Sequence, residues 1–125
     1  MKTYKDLEND YNKSRLVSKG VKLPRESSQK GQTLLYLYQN IGQIVDKPTA
    51  EKHIAERLGQ QPKDLQSLRH LGKQDGYNIL QCGAIHGGRK LKRGEYVLLN
   101  LVEVNPYYDF RRRDEENLNF ESVKR

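Results

Sequence analysis

The tightest constraint in the chain is a spacer of three residues, Gly59-Gln60-Gln61, between two helical patterns. Before it, Thr49 is placed to accept a bond from the first free amides of a helix, with Glu51 near the positive end. Ala50, Ile54 and Leu58 then share one face at four-residue spacing. After the spacer, Pro62 takes a first helical position with Asp64 in the first turn, and the pattern runs to Gln74 before Asp75-Gly76 stops it. Two short helices joined this closely form a helix-turn-helix, a shape shared with helical hairpins that bind no nucleic acid.

The flanking patterns decide what surrounds this pair. Ser27 or Ser28 can cap an earlier helix, in which Leu34, Leu37, Tyr38, Ile41, Ile44 and Val45 make one continuous apolar stripe. Asp46-Lys47-Pro48 breaks that stripe. After Gly76 the chain turns to strand: Tyr77 to Cys82 and Tyr96 to Val104 are β-rich runs on either side of a loop from Gly83 to Gly94. Three helices followed by such a hairpin predict an α+β fold, a winged helix-turn-helix over residues 29–104. Residues 1–28 lack sustained periodicity and read as a flexible basic arm with at most a short helix over Tyr4 to Leu16, and 105–125 as a tail or linker.

Charge then locates a binding surface. The chain of 125 residues has 23 Lys and Arg against 16 Asp and Glu, a net charge of +7 that favours a polyanionic partner. Within Gly83 to Gly94 stand Arg89, Lys90, Lys92 and Arg93 and no acid, so the loop is the electrostatic focus. On the helix of 62–74, Leu65, Leu68 and Leu71 fall on one side, and Lys63, Gln66, Ser67, His70, Lys73 and Gln74 on the other, with Arg69 at the boundary. That outer face carries amide, hydroxyl, imidazole and cationic groups without a carboxylate, which suits base edges and phosphates. An ordinary solvated helix face has the same appearance. The conjunction of tight turn, acid-free helix face and acid-free basic wing is what points to double-stranded DNA as the partner.

Catalytic readings find less support. Cys82 is the only cysteine, which excludes an intrachain disulfide, and its place in a strand suggests a small buried side chain. His53, His70 and His86 are dispersed over three elements, and no Asp or Glu stands two residues before a Lys, so neither a metal site nor a nuclease centre is assembled. The loop also lacks the Gly-Lys-Ser or Gly-Lys-Thr ending of a phosphate loop. No enzyme activity of its own and no cofactor are therefore expected. No apolar run approaches a membrane span and the first twenty residues are too polar for a secretory signal, which points to the cytoplasm and to no membrane partner.

The stretch Leu68-Arg69-His70-Leu71-Gly72-Lys73-Gln74-Asp75-Gly76-Tyr77-Asn78-Ile79, with Leu91-Lys92-Arg93-Gly94-Glu95-Tyr96-Val97-Leu98, resembles a module of bacterial restriction endonucleases. It is similar to the winged helix that precedes the HNH nuclease in several of them, over about residues 29–102. The resemblance implies target recognition, with Gln66, Ser67, Arg69, His70 and Lys73 facing the major groove and Arg89 to Arg93 gripping backbone. A nuclease domain or subunit is the implied protein partner, since the fifteen residues after Phe110 carry no catalytic motif. A winged-helix transcription regulator, acting as a dimer on a palindrome, and a protein-interaction adaptor are the alternatives.

Overall fold

The computed structural model describes residues 1–61 and 67–108, with the backbone alone at Ser67 and Arg69. In chain order the elements are α1 (Tyr4–Asn12), α2 (Arg15–Ser18), α3 (Gln29–Gln39), β1 (Val45–Asp46) and α4 (Lys47–Leu58). Then follow α5 (Ser67–Leu71), β2 (Tyr77–Leu80), β3 (Ile85–His86), β4 (Arg89–Lys90) and β5 (Glu95–Val104). β1, β5 and β2 form an antiparallel sheet in that order, and β3 and β4 a separate hairpin. The fold is α+β, compatible with a winged-helix layout.

The stretch expected to be a flexible arm is instead folded. Thr3 caps α1 in a reciprocal box with Asp6, and the Ser14 hydroxyl accepts from the Leu16 amide to start α2. Leu7, Leu16 and Val21 are fully buried in the same core as Leu34, Leu37, Ile54, Leu71 and Leu98. Burying each such side chain stabilises by roughly 1.5–3 kcal/mol, enough to hold helices too short to persist alone. The Tyr11 hydroxyl donates to the Val21 carbonyl, and the Tyr77 hydroxyl to that of Lys22 at 2.6 Å, tying β2 to this segment. Burial pushes the Tyr77 phenol well above its ordinary pKa.

The first long apolar stripe is also shorter as a helix than its periodicity predicts. α3 is capped by Ser28, whose hydroxyl accepts from the Gly31 amide at 2.9 Å, and ends at Gln39. The Asn40 side chain then bonds back to the Tyr36 carbonyl, and the Gly42 amide donates to the Leu98 carbonyl at 2.9 Å. Val45 is buried as part of β1, paired with Tyr96, and not as a last helical turn. The cap of α4 is Asp46 in place of the expected Thr49: its carboxylate accepts from the Thr49 amide at 3.1 Å and hydroxyl at 2.8 Å. These two bonds, hydroxyl first, hold the Asp46 carboxyl below the usual carboxylate range.

Past α5, Gly76 turns the chain with φ of +94°, and a Cβ there would lie 2.6 Å from Val21 Cγ2. β2 then pairs with β5 in a register that shifts between Tyr77 and Ile79, Ile79 facing Leu98 and Leu80 facing Val97. Cys82 falls past the end of β2, in a turn, and is exposed, contrary to the buried strand position expected. The start of the tail packs onto the body: Asn105 is buried, its amide donating to Gly76 and its side chain to Tyr77. The rest of the tail, with Phe110 and the charged run after it, lies outside the described residues.

Candidate nucleic-acid interface

Within helix α5, Leu68 and Leu71 are buried and His70 is half-buried, and in the turn after it Lys73 and Gln74 are exposed. His70 Nδ1 is hydrogen-bonded to Gln74 Oε1, so two of the outer polar groups hold each other four residues apart. Lys63 and Gln66 lie outside the described residues, and so do the side chains of Ser67 and Arg69. The helix itself ends at Leu71, and Lys73 sits in the turn that follows.

The wing is a second hairpin rather than an open loop. Gly87 and Gly88 both adopt positive φ, 61° and 78°, which suits the two-residue turns whose twist matches paired strands. Ile85 faces Lys90 and His86 faces Arg89 across this hairpin, and Leu91 is buried beneath it. His86 Nε2 lies 2.7 Å from the Gly42 carbonyl, mooring the wing to the turn after α3.

Its charge is arranged differently from the expectation, because an acid stands one residue beyond the loop. Arg89 Nη1 and Nη2 donate to Glu95 Oε1 and Oε2 at 2.9 Å and 2.7 Å, a bidentate pair, and the Lys92 amide donates to Glu95 Oε1 at 2.6 Å. These donors, Arg89 foremost, bring the Glu95 carboxyl down to about 2. Lys90, Lys92 and Arg93 are exposed and form no ion pair among the described residues. The Gly-Glu-Tyr that opens the return strand was the available signal for this pairing; adjacency to the cationic run, not membership of it, hid Glu95.

A groove of about 460 Å³ joins the two candidate contact elements. Lys73 lines it from the turn after α5, Gln81 to Ala84 from the base of the wing, and Pro106 and Tyr107 from the start of the tail. His53 stacks on Tyr36 with ring centroids 5.3 Å apart, a packing role on the α3–α4 side. Among the described residues no group of three or more His, Cys, Asp or Glu side chains converges as metal ligands would. None of their helices is long and apolar enough to cross a membrane. Comparison with family models, curated proteins and solved structures found no match to the chain.

Proposed function

We propose that the chain is a winged-helix module that binds double-stranded DNA through residues 62–74 and the wing 83–94. It serves as the sequence-recognition part of a restriction-type endonuclease system, with strand cleavage left to a separate domain or subunit. The observation that carries the reading is the groove shared by Lys73 and the wing base, taken with the exposure of Lys90, Lys92 and Arg93 on the same wing. A recognition helix and a cationic hairpin set side by side can engage a groove and its flanking phosphates at once. Element order supports it too, since β1, a short strand between α3 and α4, pairs with β5 and joins the strands that flank the wing in one sheet.

Fluorescence anisotropy with duplex and single-stranded oligonucleotides at several salt concentrations tests this. Duplex should bind more tightly, with log K falling linearly in log salt at about 0.9 per phosphate contacted. Affinity absent or insensitive to salt would remove DNA as the partner and favour a protein-docking role.

A further inference from the structure

The wing has two unlike faces. Across its ladder, partners share a side of the hairpin, and successive residues alternate sides. His86 and Arg89 are therefore on one side, and both are engaged within the molecule, His86 with the Gly42 carbonyl and Arg89 with Glu95. Ile85 and Lys90 are on the other, and Ile85 is 73% exposed. The hairpin's strands are two residues each, too short to hold a direction unaided. What holds it is the buried Leu91, its backbone bonds to Gly83 and Ala84, and the Glu95 carboxylate closing Arg89 and the Lys92 amide into one ring of contacts.

We infer that Arg89 is a staple internal to the wing and not a phosphate ligand, and that the DNA-facing set is Ile85, Lys90, Lys92 and Arg93. Glu95, Arg89 and His86 are positioning residues for that set. This rests on the DNA-binding reading above. The argument is electrostatic as well as geometric. Held by both Glu95 oxygens, the Arg89 charge is already matched, and a phosphate approaching its remaining N–H donors would also meet the Glu95 carboxylate, a like charge. Lys90, Lys92 and Arg93 have no such partner among the described residues.

The full chain can be tested by anisotropy at several salt concentrations. Lys90→Gln should lower the salt slope by about 0.9, the loss of one phosphate contact. The charge-conserving pair Arg89→Gln with Glu95→Gln should leave the slope unchanged while affinity falls several-fold, because the remaining cations lose their fixed directions. The swapped pair Arg89→Glu with Glu95→Arg should recover part of the lost affinity, because it rebuilds the ion pair but leaves the Lys92 amide without its acceptor. A slope lowered by Arg89→Gln with Glu95→Gln as much as by Lys90→Gln, or no recovery in the swap, would overturn the assignment. Amide exchange without DNA judges the staple independently of DNA binding. The Lys92 amide should exchange slowly in wild type and at least tenfold faster in Glu95→Ala. Equal rates would remove the staple, whereas slow wild-type exchange in a protein without DNA affinity would leave it standing and sink only the proposed function.

Discussion

Asp46 serves two elements at once: its backbone closes β1 opposite Glu95, and its side chain caps α4. Replacing it with Ala should cost about 0.5–2 kcal/mol, read as a lower melting temperature, and Asn should recover most of that because it caps almost as well. The pH dependence has a defined sign. A carboxyl whose folded pKa lies below its unfolded value adds stability that is complete above the unfolded value and is lost as pH falls through the folded one. The gap in stability between wild type and Asp46→Asn at neutral pH should therefore change on acidification below about 4, the ordinary range for Asp, and be flat above it. A gap that moved only at neutral pH would point to a different titrating group. Thr49 was the more visible cap in the sequence because a hydroxyl before a helix is the usual signal. It lost the position because Asp46, three residues earlier, accepts from Thr49 through both its amide and its hydroxyl.

At the scale of elements, what was legible is what repeats. α3, α4 and the strands flanking the wing declare themselves through period 3.6 or β-rich runs, and α4 ends at Gly59 as expected. Periodicity did not reveal that Ile41, Ile44 and Val45 leave the helix, because a chain that turns back on the same core keeps presenting apolar residues to it. A short helix over Tyr4 to Leu16 was legible, but the packing of α1 and α2 was not, for the opposite reason: Leu7, Leu16 and Val21 stand at wide spacing, and only tertiary packing unites them. That packing has a measurable consequence. Leu7→Ala and Leu16→Ala should each destabilise by about 2–5 kcal/mol in urea, the range for deleting a buried leucine side chain. An arm would give changes within about 0.5 kcal/mol, so small losses at both positions would return residues 1–28 to the solvent.

For the whole molecule, the α+β class was predictable and the electrostatics only half so. Helix-turn-helix spacing and a hairpin loop are local signals, whereas the pairing of Arg89 with Glu95 needs the register of a strand that begins two residues past the cationic run. Net charge thus overstates what the wing can offer a duplex, and on the proposed function discrimination among sequences falls to the helix. Gln66 and Arg69 belong to its outer side and boundary by sequence, Gln being suited to bond adenine through two atoms and Arg guanine likewise. Lys63 and Lys73, as flanking cations, suit phosphates and should affect all sequences alike. Gln66→Ala or Arg69→Ala should accordingly cost about 1–3 kcal/mol on the preferred site and relax the choice at one base pair, with affinity for unrelated duplexes nearly unchanged. Selection from a randomised duplex pool, run in parallel on wild type and both variants, reads this directly. A consensus blurred at a different single position in each variant is the expected result. Identical consensus sequences from all three proteins would mean that residues 62–74 grip DNA without reading it.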